Sequence, residues 1–127
     1  MVEIKTSGEV GAIRAAGRIV AEILAAARAA AAPGTRRRLR AGIAAAVPGA
    51  RIGDISAAIG AVGRAVGYGI CTDFGGHGVG RLMHEAPSVP NEGRAARGLR
   101  LGPGLVVAIE PWFLAGGEDS YRIDADG

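Results

Sequence analysis

The chain has 127 residues, of which 49% are hydrophobic but only 4% aromatic, with a formal charge of +3 and a pI near 9.7. That length suits one domain able to bury roughly two thirds of its unfolded surface, and because much of the apolar fraction is alanine the core should be thin. A single cysteine, Cys71, excludes an internal disulfide and fits a reducing cytoplasm. The first residues show no basic stretch followed by an apolar one, and the alanine-rich stretch at 19–32, interrupted by Glu22 and Arg28, is too short and too charged to cross a bilayer.

Thr6 and Glu9 have the spacing of a capping box, and Ile13, Ala16, Val20, Ile23 or Leu24, and Ala27 recur at helical spacing as far as Pro33-Gly34. The pattern predicts a first helix over about 8–31. A second helix should run over about 36–47, stopped by Pro48-Gly49, and a third over about 53–66, with Ile55, Ala58, Ile59, Val62 and Val66 facing inward. Arg36, Arg37, Arg38 and Arg40 crowd the start of the second helix, where cations oppose the helix dipole. Such a cluster is either a solvated helix end or a contact for phosphate on a nucleic acid or the ribosome, and no aromatic-basic interleaving supports the second alternative.

Beyond the third helix the character changes. Residues 68–74 read as a strand, 81–104 as mostly loop with Pro87, Pro90 and Pro103, and 105–115 as extended until Gly116-Gly117 turns the chain. Helices followed by strands predict an α+β architecture with the helices on one face of a small antiparallel sheet.

Two histidines lie in the glycine-rich run Gly75–Pro87, G-G-H-G-V-G-R-L-M-H-E-A-P. His77, flanked by Gly76 and Gly78, should leave room for a metal ion or a substrate carbonyl to approach its ring. The later run L-V-V-A-I-E-P alternates so that Val106, Ala108 and Glu110 share one face, which points Glu110 towards an interior where it needs a partner. A cation would serve, and so would an ion pair to Arg81 or Arg122. The structural alternatives are a packing role for His77 in a glycine turn and a half-exposed pairing of His84 with Glu85. Asp54 is placed to cap the third helix, Asp73 reaches the site only if its strand turns it inward, and Asp119, Asp124 and Asp126 belong to a polar tail.

The His77–His84 run, followed by L-G-P-G-L-V-V-A-I-E-P-W-F-L-A-G-G, resembles the type I methionine aminopeptidases, whose pita-bread fold is shared with prolidases and creatinases. I-K-T-S-G-E-V-G-A-I-R near the N-terminus, P-G-T at Pro33–Thr35 and V-P-G-A-R-I-G-D-I-S-A-A-I at Val47–Ile59 resemble other segments of that family in the same order. The resemblance implies a partial pita-bread fold in a single domain over 1–127, and removal of the first methionine from nascent proteins by a pair of divalent ions (Co, Mn, Fe or Zn) that activates a bridging water. It implies His77 and Glu110 as metal ligands, His84 as the residue contacting the scissile bond, and Met83 and Trp112 near the substrate pocket.

The family continues after P-G-T through strands that carry another histidine and two aspartate ligands, whereas here Thr35 runs directly into Arg36-Arg37-Arg38. The family also carries a last glutamate ligand beyond D-A-D-G. Three of five metal ligands therefore have no counterpart in the sequence, and the expectation is one weakly bound ion or none, with peptidase activity weak or lost. The alternative function is a non-catalytic binding module for peptides or proteins. Uncovered strand edges would favour a homodimer, and the expected location is the cytoplasm.

Overall fold

The computed structural model describes residues 4–14 and 35–122. Most of the predicted first helix, and with it Asp124 and Asp126, lies outside the described residues. Its start is as expected: α1 is helical over 7–14, with the Thr6 amide donating to Glu9 Oε2 at 2.9 Å and the Glu9 amide to Thr6 Oγ1 at 3.3 Å. Each residue satisfies a backbone donor that the first turn of a helix leaves open.

Helix α2 spans Thr35–Ala45 and α3 spans Ile52–Ala65. They join through Pro48-Gly49, where Gly49 takes a φ of 86°. The linker is tied down by hydrogen bonds from the Gly49 amide to Leu101 O (3.0 Å) and from the Leu101 amide to Ala50 O (2.7 Å). Helix α3 carries the core. Ile52, Ile55 and Ile59 are buried with Val89 and Leu101, and Leu105, Val107, Ile109 and Phe113 pack against them. Of the residues expected inward, Ile55 and Ile59 are fully buried, whereas Val66 is exposed. Val66 is the C-cap, already past the last turn. Small residues do the rest: Gly63 lies against the Phe113 ring so closely that a Cβ there would sit 2.1 Å from Cε1.

The strands are short and form two antiparallel sheets. β1 (Gly69–Ile70) pairs with β5 (Phe113–Leu114), and β2 (Gly76–Gly78) lies between β3 (Glu85–Val89) and β4 (Val107–Ala108). This is the α+β arrangement expected, with three corrections to its extents. Only Gly69 and Ile70 of 68–74 are strand. The segment read as loop contains β3, whose Pro87 is tolerated because β3 is an edge strand and Pro need not donate to a neighbour there. The extended run 105–115 is two strands in different sheets, and Glu110-Pro111 sits where the chain passes from one to the other.

Candidate functional site

His77 is the middle residue of the middle strand. It stands opposite Ala108 on β4 and Ser88 on β3, and the register shifts between His77 and Gly78. Residues directly opposite in a sheet share a face, and so do residues two apart along a strand, so Ala108 and Glu110 lie on the face of His77 and Glu110 is its diagonal neighbour. The result is a separation of 3.5 Å between His77 Nε2 and Glu110 Oε1. Val107 and Ile109, on the opposite face, pack into the core. The expectation that Glu110 points towards the interior is therefore corrected: its side chain is 43% exposed, and its partner is His77 rather than either arginine considered.

The flanking glycines have a packing role. Cβ atoms at Gly76 and Gly78 would lie 2.2 Å from Ala108 O and Ala86 O respectively. The missing side chains admit the backbones of β4 and β3, and so fix where His77 sits.

His77 Nδ1 lies 2.8 Å from Gly78 O. A carbonyl oxygen only accepts, so Nδ1 carries the proton and, in the neutral ring, the Nε2 lone pair is left towards Glu110. A lone pair and a carboxylate at that distance both attract a cation, so the space between them suits a metal ion. His84, from the turn joining β2 to β3, lies with its ring centroid 4.1 Å from that of His77. His77 thus contacts both His84 and Glu110. Met83 and Trp112 are 75% and 50% exposed, and Trp112 packs on Phe74 with ring centroids 5.3 Å apart.

The other acidic residues are otherwise engaged. Asp54 accepts from the Arg51 amide and the Ala96 amide, both at 2.7 Å, and these bonds, that of Ala96 first, hold its carboxyl below its ordinary range. It caps α3 as its position suggested. Asp119 accepts from both terminal nitrogens of Arg64 and from the Ile70 amide, and the Arg64 bonds above all lower its pKa to about 2. Asp73 is exposed beside Tyr121, whose hydroxyl is pushed up first by burial and then by the Asp73 charge. Among the described residues, no group of three or more His, Cys, Asp or Glu side chains is arranged to hold a metal ion. They do not fit a dinuclear centre, which needs bridging carboxylates. The His77–Glu110 pair does fit one part of a single shell, since a tetrahedral ion with nitrogen and oxygen ligands at its usual bond lengths keeps adjacent donors about 3.4 Å apart.

Three contacts escaped the sequence reading. Glu85 pairs with Lys5 instead of His84, Glu92 joins Asp119 on Arg64, and Arg38 of the arginine cluster turns inward. Arg38 is 5% exposed, its guanidinium carbon 4.1 Å from the Tyr68 ring centroid and 4.4 Å from that of Phe113, which removes it from the phosphate-contacting surface considered for the cluster. Arg37 and Arg40 are exposed.

The sequence pattern of metallopeptidase family M24 matches residues 35–126. The chain belongs to that family. Methionine aminopeptidase A of Synechocystis is 43% identical over 90 residues, covering 71% of this chain and 36% of the relative, and methionine aminopeptidase 1 of Mycobacterium tuberculosis is 44% identical over 96 residues with the same coverage. The crystal structure of the Rickettsia prowazekii methionine aminopeptidase superposes with a TM-score of 0.66 at 38% identity over 73% of this chain and 38% of that one. The Thermotoga maritima methionine aminopeptidase does so with a TM-score of 0.67, also at 38% identity, over 74% and 37%. This M24 chain is thus a partial homologue of the methionine aminopeptidases, sharing the pita-bread fold over the matched part and spanning a little over a third of the length of these relatives. M24 enzymes use divalent metals. No helix among the described residues is long and apolar enough to cross a membrane.

Proposed function

We propose that the chain supplies the His77–Glu110 part of a methionine-aminopeptidase-type metal site, and that its described residues alone hold one divalent ion weakly and release N-terminal methionine slowly. The observation that carries this reading is the 3.5 Å approach of Nε2 to Oε1, with the tautomer of His77 set by Gly78 O. When bound, the ion would polarise the peptide carbonyl or its attacking water. The protein's own part is narrower. Gly78 O keeps the Nε2 lone pair outward, the β2–β4 register sets Glu110 beside it, and His84 stands at the edge of the pair where a peptide would lie.

A second reading is favoured by the exposure of Met83, next to His84 in the chain, and of Trp112, two residues after Glu110: a module that holds a peptide N-terminus without cleaving it. Both readings place the protein in the cytoplasm, where the lone cysteine stays reduced. Purified protein incubated with a Met-Ala peptide and manganese, cobalt or iron separates them. Slow release of methionine that disappears in His77→Ala supports hydrolysis. Peptide binding with no release under any metal supports the module, and neither binding nor release refutes both.

A further inference from the structure

We propose that Lys5 is a positioning residue that holds His84 against His77, acting through Glu85. The importance of His84 rests on the function proposed above, whereas the positioning stands on contacts alone.

Glu85 follows His84 directly and is the first residue of β3, paired with Gly78 on the far side of the register shift from His77. Its carboxylate meets Lys5 Nζ in an ion pair whose side chains are 4% and 12% exposed. Eighty residues separate the two in sequence. Lys5 is itself fixed, since its amide donates to Gly104 O at 2.9 Å and α1 begins two residues later behind the Thr6–Glu9 cap. The pair lies directly on the turn that presents His84: a Cβ at Gly80 would fall 2.1 Å from Glu85 Oε1 and 2.2 Å from Lys5 Nζ. The Gly80 amide closes the turn by donating to Leu82 O at 3.1 Å.

Leu82, Met83 and His84 are all exposed at the outside of this turn, so the turn is held from within. A buried ion pair returns little net stability, because the desolvation of both charges offsets their attraction, but it demands a particular geometry of the groups that carry them. The demand here falls on the residue adjoining His84.

The test uses metal-free protein and reads ring-to-ring nuclear Overhauser effects between His77 and His84 together with their ring nitrogen shifts, with the α3 amide spectrum reporting on the fold. In Lys5→Met the His77–His84 effect should fall at least severalfold and the His84 shifts should move towards those of a free imidazole. The Nδ1 signal of His77 should keep its hydrogen-bonded position, and Lys5→Arg should restore the His84 signals. Gly80→Ala retains both charges but places a methyl where their flexible ends meet, so the ends must shift, and it should lower the effect in the same direction by a smaller amount. Unchanged His84 signals in folded Lys5→Met and Gly80→Ala would overturn the proposal. Should Lys5→Met give no folded protein, the Gly80→Ala comparison decides in either direction. Failure of metal binding or peptide turnover leaves these ring measurements untouched, so the two readings fail separately.

Discussion

Replacing Gly76 with alanine tests the framework that brings His77 and Glu110 together. The new Cβ would lie 2.2 Å from Ala108 O and 3.1 Å from Val89 Cβ, and the first contact is with backbone, which has no rotamer to change. Reaching even the closest separation that real Cβ atoms show requires β2 and β4 to part by about 0.8 Å. Overpacking of this kind costs about 1–3 kcal/mol, and each strand hydrogen bond lost adds about 1 kcal/mol. Only two residue pairs join β2 to β4, so there is little ladder over which to spread the displacement. A loss of about 3 kcal/mol lowers the urea midpoint by about 1–3 M for a domain of this size. Gly102→Ala is the control, because its Cβ would meet nothing within 4 Å, and it should stay within about 0.5 kcal/mol of the parent. Equal midpoints for Gly76→Ala and Gly102→Ala would show that the β2–β4 approach is not as close as described and would remove the geometric basis of the site.

Ile59→Ala empties the centre of the core, where Ile59 is fully buried, and should cost about 2–5 kcal/mol in chemical denaturation; a smaller loss would mean that the α2–α3 interface is loosely packed. Arg38 has a buried Nε with no partner, so Arg38→Met should change thermal stability by less than about 1 kcal/mol, the lost cation–π attraction being offset by relief of the orphan donor. Arg38→Ala, which also loses the packed stem, should destabilise clearly more than Arg38→Met. The acid response follows from Asp119: its folded pKa of about 2 lies below its ordinary 3.8, so its contribution is fully present above pH 4 and is lost as pH falls from about 4 to about 2. Asp119→Asn should flatten the fall of stability in that window, and an unchanged slope would mean that the Arg64 bonds do not persist in solution.

The sequence made the elements legible where one residue type dominates a local choice. The Thr6–Glu9 spacing marked the start of α1, Pro48-Gly49 the break between the helices, and Ile55 and Ile59 the buried stripe. Helix ends and strand extents were less accessible, because the strands of 2–5 residues are set by pairing partners far along the chain. β3 was hidden by Pro87, which marks a breaker in isolation but is tolerated at an edge. The candidate residues His77, His84 and Glu110 stand out by type and motif, yet the outlook of Glu110 is the reverse of that expected, since alternation gives two faces without saying which one meets the helices. Nothing local could have shown that Lys5 reaches Glu85 or that Arg38 lies against the Tyr68 and Phe113 rings, because both depend on elements brought together only by the tertiary fold.

The most direct measurement is a zinc titration of the metal-free protein, following the ring nitrogens of His77 by NMR. One ion should bind per chain, the Nε2 signal should move with Nδ1 still protonated towards Gly78 O, and Glu110→Gln should weaken binding at least tenfold. An Nε2 signal that stays still at millimolar zinc, or binding that is indifferent to Glu110→Gln, would contradict the proposed site.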